Sequence, residues 1–205
     1  HATANDPSLY DEAARDPEAF WARMAGELEW SRPWDRVLDW RPPHARWFTG
    51  GQLNASVNCV DRHVAGPRRN KAALVFEGEP GDTRTYTYAE LAAEVRRAAN
   101  AFESLGVTKG DRVAVYLPMI PQAHIAMLAC ARLGAVHSVV FGGFAPRELA
   151  SRIDDAAPDV VLTCSGGIEP KRRVEYLPAV AEALETAAQR NENWDEADKA
   201  WEGEG

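Results

Sequence analysis

The sequence predicts an α/β fold: a mostly parallel sheet with helices on both faces, preceded by a Trp-rich N-terminal helical arm. Three observations carry this prediction. From residue 53 onward, short apolar runs alternate with amphipathic stretches at helical spacing. Three successive runs, "DRVAVYLP", "AVHSVVF" and "DVVLTC", are each followed by a helical pattern, as in βαβ units. Those runs are nearly continuous in apolar residues, as required when both sheet faces are covered.

The elements follow in order. "DPEAFWARMAGELEW" offers Asp16 as an N-cap, Pro17 at the first helical position, and Phe20, Met24 and Leu28 on one face. Five of the seven tryptophans stand between residues 21 and 47 and read as packing anchors rather than as a stacking platform for bases. "LNASVNCVDRHV" places Val57, Val60 and Val64 on one helical face, and "AALVFEG" is a strand. "RTYTYAELAAEVRRAANAFESLG" is a short strand and then a helix ending at Gly106, with Thr87 and Glu90 spaced as a capping box. The helix "PQAHIAMLACARLG" ends at Gly134, "PRELASRIDDA" is a helix opened by Pro146, and "VEYLPAVAEALETAA" is the last helix. Met119, Met127 and Leu128 read as core. The domain reading is 1–52 for the Trp-rich extension, 53–188 for the α/β domain, and 189–205 for a polar, acidic tail.

Composition narrows the function. The 205 residues, 45% of them hydrophobic, are enough for one substantial core, and the formal charge of −8 disfavours an extended nucleic-acid surface. No run approaches the roughly 20 apolar residues of a membrane span. Cys59, Cys130 and Cys164 lie far apart with no CxxC spacing, which suits reduced thiols, and the chain reads as cytoplasmic. His63, His124 and His137 have no metal-site spacing.

Open α/β sheets bind ligands beyond the carboxyl ends of their strands. Two such ends carry paired glycines here: Gly142 and Gly143 after "VHSVVF", and Gly166 and Gly167 after "DVVLTC", the second followed by Lys171, Arg172 and Arg173. If the two strands are neighbours, the glycine turns lie side by side under a basic cluster suited to a nucleotide phosphate. Spacing alone favours the plain reading, a turned corner and a solvated loop. Neither GxGxxG nor GxxxxGK[ST] occurs, so a dinucleotide fold and a P-loop are not supported.

The run "YLPMIPQAHIAMLACARLGAVHSVVFGGFAPRELASRIDDAAPDVVLTCSGGIEPKRR" resembles the N-terminal part of the short-chain AMP-forming acyl-CoA synthetases, the acetyl-CoA and propionyl-CoA synthetases of the adenylate-forming superfamily. "RWFTGGQLNASVNCVDRH" and "YTYAELAAEVRRAANAFESLGVTKGDRVAVYLPM" resemble the same family, over residues 8 to 188 in all, and "GGIEP" is closer to the propionyl branch. The resemblance implies the incomplete N-terminal part of the adenylate-forming synthetase fold. It implies an ATP-dependent ligase that forms an acyl adenylate from a short-chain carboxylate and then passes the acyl group to CoA. It also implies that Phe141 packs on the CoA adenine, Gly142 and Gly143 allow close approach, Arg172 meets phosphate, and Val174 closes the adenine pocket. Glu169 stands where the acetyl branch has arginine; Lys171, where a glycine is common, supplies a positive charge. No catalytic residue of the family falls within the matched region, and its ATP, Mg²⁺ and acyl sites lie downstream of it. Three readings stay open: the N-terminal segment of such a ligase with part of the CoA surface, a non-catalytic partner docking on or complementing a synthetase remainder, or an inactive truncated gene product.

Overall fold

The computed structural model describes residues 6–169 and 172–188. The chain forms two compact units that divide between His63 and Val64.

The smaller unit is more than a helical arm. Helices α1 (Ser8–Arg15) and α2 (Pro17–Ala25) meet at Asp16, whose carboxylate accepts a hydrogen bond from the Ala19 amide at 3.0 Å and caps α2. Arg23 clamps the pair by donating to Glu12 from Nη2 at 2.7 Å and from Nε at 3.0 Å. Helix α2 stops at Ala25, short of the expected Leu28, which is exposed. Strands β1 (Arg36–Arg41) and β2 (His44–Thr49) then form an antiparallel hairpin around Pro42 and Pro43. Phe48 sits among Trp30, Trp34 and Trp47 with ring centroids 5.3–6.0 Å away, so these tryptophans pack against one another. Residues 57–61 adopt a π-helical turn rather than the expected regular helix, and it runs into the short α3 (Arg62–Val64). Buried Asn58 there exchanges two hydrogen bonds with the backbone of Glu29.

The larger unit is built on a three-stranded parallel sheet ordered β6-β5-β7, from β5 (Arg112–Leu117), β6 (Val136–Phe141) and β7 (Val160–Leu162). An antiparallel hairpin of β3 (Ala72–Glu77) and β4 (Thr83–Thr87) precedes it, and a second of β8 (Gly166–Glu169) and β9 (Arg172–Glu175) follows it. The helices are α4 (Tyr88–Ser104), α5 (Pro121–Leu133), α6 (Pro146–Ala156) and α7 (residues 176–188).

Successive side chains of a strand point to opposite faces, and β5 uses both. Val113, Val115 and Leu117 enter one apolar cluster with residues of α4 and α5; Tyr116 enters another with Val140, Leu149 of α6, and Val180 and Ala183 of α7. Val113 and Val115 are each 0% exposed, and burying each stabilises the fold by about 1.5–3 kcal/mol. Cys130 lies in the first cluster, where burial pushes its thiol up to about 11 and leaves it a neutral, packed group at physiological pH.

Helix boundaries follow local chemistry. Thr87 Oγ1 accepts from the Glu90 amide at 3.2 Å while the Glu90 carboxylate accepts from the Thr87 amide at 2.8 Å, completing the expected capping box. Gly134 closes α5 in the left-handed region at φ 77°, where a side chain would be strained. Two expectations need correction. The strand expected over "DVVLTC" is only three residues long, and the last helix begins at Tyr176 because residues 172–175 are taken up as a strand.

The hydrogen bonds from Thr87 hold the Glu90 carboxyl below its ordinary range. A group depressed in the folded state stabilises above its unfolded pKa and loses that contribution as pH falls through the folded value. Thr87→Ala should cost about 1 kcal/mol in urea unfolding at pH 7. Glu90→Ala should lower the urea midpoint at pH 7 and change it little once both states are protonated in acid.

Candidate functional site

The carboxyl end of the parallel sheet opens into a cavity of about 810 Å³ within the larger unit. Its floor is the end of β5 with Pro118; one side is the Phe141–Gly143 turn, another is Gly166, Gly167 and Val174 of the β8–β9 hairpin. The β3–β4 turn, with Glu77, Glu79 and Asp82, forms the rest of the rim.

Phe141 is the last residue of β6 and pairs in register with Leu117 of β5. The residue is 65% exposed, and its ring stands edge-on to that of Phe144, 5.6 Å away. An exposed aromatic face beside an apolar cavity suits a flat heteroaromatic ring. Gly143 makes room for it: a methyl group there would stand 2.6 Å from the Phe141 ring. At Gly142 a methyl would collide with the Tyr176 hydroxyl and lie 3.0 Å from the carbonyl oxygen of Leu117. Neither glycine has a positive φ, so the turn needs them for space and not for backbone handedness.

The turn has little of a phosphate cradle. Helix α6 begins with Pro146, which has no N–H to offer, and carries Glu148 in its first turn, an acidic complement to the positive end of the helix. The two glycine pairs do not follow adjacent strands either, because β5 lies between β6 and β7, and Gly166 and Gly167 stand in strand β8 rather than in the expected turn. They meet instead through side-chain packing, since a methyl on Gly167 would lie 3.2 Å from the Tyr176 ring and 3.3 Å from Pro118.

The segment expected as a loop over 169–174 is largely hairpin, with Glu169 opposite Arg172 and Gly167 opposite Val174. Val174 is half-buried, packs on the Tyr116 cluster and lines the cavity. Arg172 is exposed and two residues earlier on β9, so it shares a strand face with Val174 without lining the cavity. Lys171 lies outside the described residues. Phe141, Gly142, Gly143 and Val174 are thus brought around one cavity, with Arg172 at its side.

Other lining residues escaped sequence reasoning. Met119, read as core, is 79% exposed at the cavity, and half-buried Met127 and exposed His124 line it from α5. Met119 follows Pro118 past the end of β5, where the sheet no longer covers it; that proline was the available signal. Tyr176 gave no signal in its spacing. Among the described residues, no group of three His, Cys, Asp or Glu side chains is placed to hold a metal, and no helix is long and apolar enough to cross a membrane.

A family profile described as "AMP-binding enzyme" matches residues 60–203, the greater part of the chain. The chain belongs to the AMP-binding enzyme family. A second profile, "Acetyl-coenzyme A synthetase N-terminus", matches residues 7–59, so the chain carries the N-terminal portion of an AMP-forming acyl-CoA synthetase. The AMP-binding match runs past residue 188 into the acidic tail. Similar proteins include the acetyl-coenzyme A synthetases of Gemmatimonas aurantiaca, 58% identical over 177 residues (86% of this chain and 27% of the relative), and Rubrobacter xylanophilus, 52% identical over 185 residues (90% and 29%). That of Streptomyces coelicolor is 53% identical over 179 residues (87% and 28%). The chain spans little more than a quarter of the length of these relatives.

Thioether oxidation follows solvent access. Dilute peroxide should convert Met119 to the sulfoxide ahead of Met24 and Met127, read by peptide mass; equal rates would contradict an open cavity mouth.

Proposed function

We propose that this chain is the N-terminal segment of an ATP-dependent, AMP-forming ligase joining propionate or acetate to CoA, and that its own part in that reaction is to hold the CoA nucleotide. The observation that carries this reading is the exposed Phe141 ring at an apolar cavity, with Arg172 on the face of β9 that also bears Val174. The adenine lies on Phe141, with Gly142 and Gly143 letting it approach the backbone and Val174 closing the far side. Arg172 meets phosphate, and Lys171 contributes a further positive charge. The carboxylates of Glu77, Glu79 and Asp82 on the β3–β4 side repel phosphate, so the phosphates point toward β9.

In this reading residues 53–188 are part of the AMP-binding domain and residues 1–52 its Trp-rich extension. ATP, Mg²⁺ and the carboxylate are held by parts of the synthetase outside these residues, so no catalytic residue and no chemical step is assigned to this chain. The preorganised charge that stabilises a phosphoryl centre supplies most of the rate in such chemistry, and the chain alone does not form acyl adenylate. The compartment is the cytoplasm, in keeping with three free cysteines.

A second reading is favoured by β6. It is one of the two outer strands of the parallel sheet, and Val136, Val139 and Phe141 along it are exposed. An open edge of this kind fits a chain that complements a separately supplied synthetase remainder.

Calorimetry with the purified chain should detect CoA binding, and Arg172→Ala should weaken it about tenfold, the equivalent of one charge-assisted hydrogen bond. Unchanged affinity in that variant would remove the phosphate contact. Pyrophosphate release with ATP and either acid should stay at background for the chain alone, and turnover would overturn the assignment of the ATP site elsewhere.

A further inference from the structure

We infer that Tyr176 is a positioning residue for the CoA site, setting the gap between the Phe141–Gly143 turn and the β8–β9 hairpin. The inference rests on the CoA reading above.

Tyr176 opens α7 and is 3% exposed. Its hydroxyl occupies the space that a side chain on Gly142 would take, and the edge of its ring lies against Gly167. One side chain therefore touches both glycine pairs. Among the described residues they share no backbone ladder, because β6 pairs there with β5 and β8 with β9. Packing is what fixes their separation. Tyr176 is itself held by Tyr116, ring centroids 5.0 Å apart. The Tyr116 hydroxyl in turn donates to the carbonyl of Phe144 at 2.9 Å, one residue beyond Gly143. The turn is thus held at Gly142 by the Tyr176 hydroxyl and at Phe144 by Tyr116.

The consequence for binding is geometric. Gly142 adjoins Phe141, and Gly167 lies opposite Val174, two residues from Arg172. A ligand that stacks on Phe141 and reaches Arg172 must span a distance that Tyr176 sets. A residue that only fills the core would tolerate a change of size with a loss of stability and no change of affinity in the folded protein. A positioning residue changes affinity while the fold is kept.

The test uses the full chain, with CoA affinity by calorimetry well below each variant's urea midpoint, so that only folded protein is compared. Gly142→Ala should weaken CoA binding at least tenfold, because its methyl and the Tyr176 hydroxyl cannot share one space. Adding Tyr176→Phe removes that hydroxyl and should restore most of the affinity. Tyr176→Leu, which removes the spacer without adding atoms, should also weaken binding about tenfold and carries the test if Gly142→Ala does not fold. Wild-type affinity in Gly142→Ala or Tyr176→Leu, or a folded double variant as weak as Gly142→Ala, would overturn the inference while leaving the CoA reading intact. No CoA binding by the wild-type chain would overturn both.

Discussion

The larger unit depends on the burial of β5 from both sides. A strand whose alternate side chains enter two separate cores cannot shift by one residue, since every side chain would then face the wrong core. With Val113, Val115 and Leu117 committed to the α4–α5 side and Tyr116 to the α6–α7 side, the register of β6 and β7 follows, pair by pair. The ends of all three strands are then fixed in space. Phe141 owes its place at the cavity to its pairing with Leu117, and the departure of the chain at Pro118 opens the floor beneath it.

What could be read from the sequence was what is encoded locally. The Thr87–Glu90 box, Asp16 before Pro17, Gly134 after α5 and the Pro146 start of α6 are all chemistry within a few residues, and each stands where spacing put it. The apolar runs of β5 and β6 are similarly self-declaring. The resemblance named the family and nominated Phe141, Gly142, Gly143 and Val174, which the fold gathers around one cavity.

What could not be read was set by partners distant in sequence or by contrasts too weak to count. The β1–β2 hairpin was hidden because "RVLDWRPPHARWFT" mixes charge and tryptophan without clean alternation. The β8–β9 hairpin was hidden because "GGIE" and "RRVE" are too short and too polar to announce strands. Strand order is a non-local property: nothing near Gly142 or Gly166 says that β5 runs between them. Tyr176 gives no sign of itself for the same reason, since its meaning lies in two glycines 34 and 9 residues away. Met119 was misjudged because a methionine after a buried strand is usually buried with it.

The outer edge of β6 has a consequence for how such a chain must be made. "VHSVVF" contains no lysine, acid or proline, the residues by which edge strands are usually guarded, and three of its six side chains are exposed apolar groups. During synthesis the sheet core around β5 can close as soon as α7 has emerged, while among the described residues no strand pairs with the outer edge of β6. The interval before it is covered is when the molecule is most exposed to misassembly.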